Sequence, residues 1–408
     1  MNKRHALSIV NVFFLVLTLL TVGCNGGETQ TVNVQSGPRV GRVTATEAVV
    51  SWDLQSPAHS AISYRVAGER EFTGKVLSNK ETTRHSVTIT NLKPDTVHEF
   101  QVEGHPTVGS FRTAAADTTK FVFVTMGDNR GQSDDDDIKG LPQPFINIIN
   151  DAVKRSPVFA VNVGDLFYGK NSDISKFQLL YQSFKTAIQP LASTTSYLIS
   201  PGNHEMSPFK SSKDPVGFDP VALFNQEFQQ PGPLQGYEGF VFSWDWGKVH
   251  LVSIATNHFD TKLSPPHYGM YTISDAQITW LDTDLQKAKS NGAQFILVFG
   301  HSNAYVNPSW PKSDPPLADL DNTDSKQRDK FWAVLTKYKA DIYVCGHQHL
   351  FDDSITVNGV VQWLNGNSGS VVDGKPNQYT VWTVNGSTLT AELVNDAGVT
   401  TYTRTFTK

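Results

Sequence analysis

Short runs of alternating apolar and polar residues open the folded part of the chain. Between residues 39 and 113 they fall at 48–52, 61–66, 85–90, 99–102 and 110–113, separated by turn residues and uninterrupted by any helical period. Alternation with a period of two buries one face of each strand, so this segment reads as a small all-β sandwich. At Thr119 the pattern changes. Residues 121–126 form a nearly continuous apolar run, and similar runs at 158–163, 197–199, 295–299 and 342–345 are interspersed with helical periodicity. Strands buried on both faces read this way, which predicts an α/β sheet. Ser274-Asp275-Ala276-Gln277 has the form of a capping box, and Ile278, Leu281 and Leu285 then recur on one face of a helix. Phe331, Leu335 and Tyr338 mark another helix, while the runs at 379–384 and 388–393 predict strands that finish a second sheet.

A length of 408 residues exceeds one ordinary core, and 24 Phe, 12 Tyr and 8 Trp supply large side chains for more than one. The beginning is a targeting segment. Lys3 and Arg4 precede an apolar stretch at 6–20 that is short for a span, and small residues lead to Cys24. Residues 20–24 resemble a bacterial lipobox, which implies a lipid-carrying cysteine at a new N-terminus and a periplasmic or cell-surface protein. Thr21 stands where such boxes usually have Leu, so ordinary secretion and a lone apolar anchor are the alternatives. The partition is therefore 1–24 signal, 25–36 tether, 37–116 sandwich and 117–408 α/β domain. With Cys24 lipidated or removed, Cys345 has no partner for a disulfide, and its apolar surroundings make it a core residue without a role.

The formal charge is −5, and losing Lys3 and Arg4 makes it more negative. No basic run exists, which argues against a nucleic-acid partner. The acidic block at 134–137 reads as a solvated loop, because nothing beside it has the spacing of a calcium loop.

Several features of the first domain resemble a fibronectin type III domain: Val50-Ser51-Trp52 as the strand with the core tryptophan, then Leu92-Lys93-Pro94-Asp95-Thr96, and Phe111-Arg112-Thr113 at the close. His98 stands where such domains place the tyrosine of the tyrosine corner, which puts that hydrogen bond in question and makes His98 a core substitution.

Candidate chemistry follows the buried runs, where an α/β sheet opens toward its ligand crevice. Gly127-Asp128-Asn129-Arg130 follows the first, Gly164-Asp165-Leu166-Phe167-Tyr168 the second, and Gly202-Asn203-His204-Glu205 the third; Gly300-His301 and Gly346-His347-Gln348-His349 follow the last two. Each piece alone is commonplace, but five in order, each with a glycine that lets the backbone turn, form a specific set. The residue types suit two cations. Asp165 has two oxygens with which to bridge them, and neutral imidazoles and an amide limit negative charge beside an anionic substrate.

In this order the motifs resemble the calcineurin-like metallophosphoesterase superfamily and, within it, the purple acid phosphatases. Many superfamily members carry a histidine ligand where this chain has Arg130, whereas Tyr168, three residues after Asp165, stands where purple acid phosphatases have an iron-binding tyrosine. A fibronectin-like domain ahead of the catalytic one is also that family's arrangement. The resemblance implies a two-sheet β-sandwich flanked by helices, with Fe(III) held by Asp128, Asp165, Tyr168 and His349. It implies a divalent Zn, Mn or Fe at Asp165, Asn203, His301 and His347. Hydrolysis of small phosphate monoesters by metal-activated water would follow, with His204 donating a proton to the leaving alcohol or, alternatively, orienting a ligand. Arg130 and Asn303 are candidates to contact phosphate, with structural roles as the alternative. The histidines that plant members carry after the fourth motif are absent from 302–310. His258 and His267 read as surface residues near the pocket wall.

Two rival functions stay open at this stage. A phosphodiesterase or nucleotidase would use the same ligands, and a non-catalytic surface-binding protein would rely on the sandwich. The sandwich domain itself is expected to act as a spacer or to cover one side of its neighbour.

Overall fold

The computed structural model describes residues 33–115, 117–169, 173–206, 219–260, 267–307, 325–370 and 374–408, leaving out the side chains of 258–260 and 267–270. The targeting segment and Cys24 lie outside the described residues.

Five strands build the first domain: β1 (Val34–Val43), β2 (Ala48–Val66), β3 (Gly74–Ile89), β4 (Val97–Val102) and β5 (Val108–Arg112). The long β2 pairs β1 through its first half and β4 through its second, with register shifts against β3 between Asp53 and Ser60. It thereby folds one sheet around a core. Trp52 is fully buried there, and its indole N–H donates to Ser60 Oγ at 3.0 Å. His98 is buried as a core residue, stacked on Phe111. The tie missing from the tyrosine corner is made by Thr113, whose hydroxyl donates to Lys93 C=O at 2.6 Å and accepts the Thr96 N–H at 2.9 Å.

The second domain starts with β6 (Lys120–Met126), α1 (Asp134–Lys139), α2 (Gln143–Lys154), β7 (Phe159–Asn162), α3 (Ile174–Ala192), β8 (Ser196–Ile199), α4 (Asn203–Met206) and α5 (Pro220–Phe228). It continues through β9 (Phe242–Trp246), β10 (Val249–Ser253), β11 (Asn257–Asp260), β12 (His267–Tyr271), α6 (Asp275–Ser290), β13 (Phe295–Phe299), α7 (Ser325–Lys337) and β14 (Ile342–Cys345). Strands β15 (Phe351–Asp352), β16 (Thr356–Val357), β17 (Val360–Asn365), β18 (Gln378–Asn385), β19 (Thr388–Asn395) and β20 (Thr400–Thr407) complete it. One sheet runs β20-β19-β18-β6-β7-β8 and another β15-β17-β14-β13-β10-β9. Within them β6, β7 and β8 are parallel to one another, as are β10, β13, β14 and β17.

The sheets pack face to face because successive residues of each parallel strand are apolar on opposite faces. Phe123, Phe159, Leu297, Phe299, Val344, Trp363 and Trp382 fill the middle, with Phe123 and Phe159 stacked at 4.6 Å. Val124 and Met126 turn outward to α2 and α3, and Val298 and Tyr343 to α6 and α7. The C-terminal strands finish one of the two sheets, β18 pairing antiparallel with β6. One sequence expectation changes here. The acidic block is helix α1, not a loop, capped by Ser133 and carrying buried Asp134 and Asp137. The capping box is half formed: Ser274 Oγ accepts the Gln277 N–H, but the Gln277 side chain instead bonds Ala255 N and O at 2.9 Å each.

The two domains share one apolar core and a buried ionic cluster. Arg39 and Asp53 pair at 2.9 Å, Lys185 of α3 reaches Asp53 at 3.1 Å, and Glu227 of α5 pairs with both Lys185 and Arg84. Removing one member strands its partners in low dielectric. Lys185→Ala is therefore expected to destabilise the protein by about 3–5 kcal/mol in urea unfolding.

Where β9 and β10 meet α6, His250 lies between Asp245 (2.7 Å) and Asp284 (2.8 Å). Burial opposes its charge, but the two carboxylates outweigh it and raise its pKa from 6.5 to about 9. A folded-state pKa above the unfolded one stabilises fully below about 6.5 and ceases to do so as pH rises through about 9. Because Asp245 is solvent-exposed, the gain is about 1–3 kcal/mol. The stability gap between wild type and His250→Gln should be widest at pH 6 and shrink by pH 10.

Candidate metal centre

Strand ends of both sheets converge on one crevice. Asp128 and Arg130 follow β6, Asp165 and Tyr168 follow β7, Asn203 and His204 open α4 after β8, His301 follows β13, and His347 and His349 follow β14. Donor atoms of Asp165, His301 and His347 lie within 4.8 Å of one another, as do those of Asp128, Asp165 and His349. Asp165 belongs to both groups.

The geometry around His301 decides what these groups are for. Its Nδ1 faces Val163 C=O at 2.7 Å, and because a carbonyl only accepts, the ring proton belongs on Nδ1. Nε2 then presents a lone pair to Asn203 Oδ1 at 3.1 Å and Asp165 Oδ1 at 3.3 Å. Complete burial pushes His301 down to about 3, so protonating Nε2 is no remedy. His347 Nδ1 approaches the same nitrogen at 3.2 Å, and burial pushes this ring down to about 3 as well. The Asn203 and Asp165 oxygens set acceptor against acceptor at His301 Nε2, and these repel. Ligands about 2.1 Å from one cation are themselves about 3.0–3.4 Å apart, so the spacing suits a shared ion.

The other half has the same character. His349 Nε2 lies 3.5 Å from Asp128 Oδ1. Burial, then the charge of Asp165, pushes Asp128 upward, and the same two causes raise Glu205 to about 8. Positive charge at this place would relieve three buried carboxylates at once. The residues fit two metal ions.

Tyr168 stands between Arg130, whose guanidinium carbon is 5.5 Å from its ring centroid, and His204, whose ring centroid is 5.9 Å away. Arg130 is buried, makes two contacts of 3.5 Å each, to Gly131 C=O and His349 Nε2, and leaves Nε without a partner among the described residues. His204 Nδ1 contacts Tyr168 C=O, and its Nε2 is 3.6 Å from Asp165 Oδ2. Asn303 is buried with its amide nitrogen committed to Tyr305 C=O at 2.9 Å. The side chains of His258 and His267 lie outside the described residues.

The glycines before these residues act differently from the expectation. Asp128 (φ 53°), Asp165 (φ 55°) and His347 (φ 73°) themselves take the left-handed turn, and of the glycines before them only Gly164 shares it. The others provide room. A Cβ on Gly202 would sit 2.5 Å from the Asp165 amide nitrogen and 2.9 Å from His301 Cε1, and one on Gly346 would collide with Asp128 Oδ2.

Several braces had no assigned role in the sequence reading. Glu205 accepts the N–H groups of Asp165 (3.0 Å), Leu166 (2.8 Å) and Gly202 (2.7 Å). Its signal was an acid inside a buried motif. Thr256 Oγ1, after β10, accepts the N–H groups of His301 (3.2 Å) and Ser302 (2.9 Å). Ser368 and Ser370, after β17, bond the Gly127 and Asp128 carbonyls through their N–H groups at 2.9 and 3.1 Å. Both follow apolar runs, at 249–255 and 360–364, that carry the same strand signal as the five recognised ones.

Two packed sheets with carboxylates, imidazoles and an amide at their shared end define the class of α/β proteins with a dinuclear metal site. The chain belongs to the calcineurin-like phosphoesterase family, whose profile matches residues 122–351, more than half its length. Residues 33–118 match the fibronectin type III domain. Acid phosphatase type 7 of Homo sapiens is 28% identical over 201 residues, covering 47% of this chain and 40% of the relative. Purple acid phosphatase 21 of Arabidopsis thaliana is 24% identical over 271 residues, covering 66% and 52%. The chain thus spans about half the length of these relatives. Among solved structures, a purple acid phosphatase from yellow lupin seeds superposes with a TM-score of 0.67 at 14% identity, covering 91% of this chain and 74% of that one, so the fold is shared.

Gly202→Ala is expected to displace Asp165 and weaken metal binding about 10- to 100-fold, the range seen when groups that orient metal ligands are lost. Metal retained per chain after dialysis against graded chelator measures it.

Proposed function

We propose that this protein hydrolyses small phosphate monoesters at a dinuclear centre of the purple acid phosphatase type, outside the cytoplasm. The observation that carries the reading is the set of mutually facing acceptors around His301 and Asp165, which calls for cations. In this reading Asp128, Asp165, Tyr168 and His349 hold Fe(III), to which a phenolate is a matched hard ligand. Asp165, Asn203, His301 and His347 hold Zn(II), Mn(II) or Fe(II). Bound there, the ions supply an acidified water and screen phosphate charge during in-line attack.

The chain's own groups do the rest. Arg130, buried and weakly satisfied, offers N–H donors to the phosphate oxygens. His204 is fixed by donating its Nδ1–H to the Tyr168 carbonyl, so a proton passed to the leaving alcohol would come from Nε2 of the doubly protonated ring, which returns to the neutral Nδ1–H form. Export and a lipid anchor at Cys24 complete the proposal, with the membrane met through that anchor alone.

Metal analysis and a visible spectrum test it together. Purified protein should hold iron and be violet or pink, and Tyr168→Phe should lose the colour; a colourless, iron-free but active enzyme would refute the ferric site and spare phosphoester hydrolysis. p-Nitrophenyl phosphate should be cleaved faster than its bis-ester, and the reverse order would make the protein a phosphodiesterase.

A further inference from the structure

The aspartates of α1 do not share one environment. Asp135 and Asp136 face solvent, whereas Asp137 is fully buried. Its two carboxylate oxygens accept the Gly131 N–H at 2.9 and 3.1 Å, and one also accepts the Tyr168 N–H at 2.7 Å. Gly131 lies on the loop that brings Asp128 and Arg130 from β6. Tyr168 lies on the loop that brings Asp165 from β7. One buried carboxylate side chain therefore clasps two loops that come from different strands.

The clasp is tight. A Cβ on Gly131 would collide with the Asp137 carboxylate. The Gly131 carbonyl is a contact of Arg130 Nη1, and the Arg130 guanidinium lies over the Tyr168 ring, so the gripped peptides adjoin the two side chains whose stance the site depends on. The same helix is anchored from outside by Ser183 of α3, whose hydroxyl donates to Asp137 C=O. Stability alone gives little reason for a carboxylate here, because burying a charge is costlier than apolar packing of similar volume. What the carboxylate adds is one acceptor for two N–H groups, on loops that the Asp128 N–H to Gly164 C=O and Asn129 N–H to Asp165 C=O bonds join closer to the strands.

We propose that Asp137 is a positioning residue whose carboxylate sets the placement of Arg130 and Tyr168 beside Asp128 and Asp165. The assignment rests on the reading of those aspartates as part of a metal centre. Asp137→Asn keeps the size and one acceptor oxygen, Asp137→Ala removes both, and Asp135→Asn on the solvent side of α1 is the control. Zinc affinity of chelator-stripped protein, read by competition with a fluorescent chelator, should fall about 10- to 100-fold in Asp137→Ala and less in Asp137→Asn. The control should match wild type, and an unchanged melting temperature for Asp137→Asn separates misplacement from unfolding. In kcat, Asp137→Asn should cost less in the Arg130→Ala background than in wild type, because part of the placement it disturbs is already gone. Unchanged zinc affinity in both Asp137 variants, or kcat losses that multiply in the double variant, overturns the assignment. Wild-type protein that binds none of zinc, manganese and iron takes down the metal-centre reading itself, and this assignment with it.

Discussion

The structure is organised around lone pairs that face one another. Val163 fixes the His301 proton on Nδ1, and Nε2 then meets Asn203 Oδ1 at 3.1 Å and Asp165 Oδ1 at 3.3 Å with no hydrogen between them. Such a cluster is held only by surroundings rigid enough to resist its repulsion, or by a cation. It also explains why two sheets are needed. Asp128, Asp165 and Asn203 come from ends of one sheet and His301, His347 and His349 from ends of the other, so the site exists because the aromatic layer between the sheets fixes their separation.

Main chain, more than side chain, supplies the rigidity. Three candidate ligands, Asp128, Asp165 and His347, sit in the left-handed region, at a cost of about 1–3 kcal/mol each in general. That strain persists because each loop is bonded to another. Asp128 accepts the His347 N–H at 2.9 Å, joining the two sheets, while Glu205 accepts three N–H groups from the loops after β7 and β8. Carboxylates that collect backbone N–H groups are well suited to this task, since each bond to a charged acceptor is stronger than its neutral counterpart.

Much of this was legible in the sequence, for a physical reason. Parallel strands buried on both faces leave an unmistakable apolar run, and a polar residue at the end of each run has few places to go but the crevice, which is how Asp128, Asp165, Asn203, His301 and His347 could be read in order. The runs of β10 and β17 carried the same signal but ended in Thr256 and Ser368, hydroxyl residues that do not look like metal ligands. Gln277 misled through local chemistry: its position fits a capping box, yet a tertiary partner, the Ala255 peptide, outcompeted the local one. Asp137 was hidden in a run of four identical charges, and which of them turns inward depends on helix phase and on two loops distant in sequence. The glycines were noticed for conformational freedom, whereas most serve close approach, a property of packing that no local pattern encodes.

The position of the first domain bears on the same constraint. A spacer would touch its neighbour through few, polar, solvated contacts, but here the apolar core runs on from Trp52 and Phe100 to Phe159 and Trp246, and Lys185 is buried between Asp53 of one domain and Glu227 of the other. Of the two expected roles, covering one side of the catalytic domain describes this seam. The covered element matters: Ser183 in the middle of α3 anchors Asp137, and Gln189 near its C-terminus donates to Pro38 C=O of β1. The helix is bonded at its middle to the element that carries Asp137 and near its C-terminus to β1. The sandwich domain thus packs against the helix that anchors Asp137.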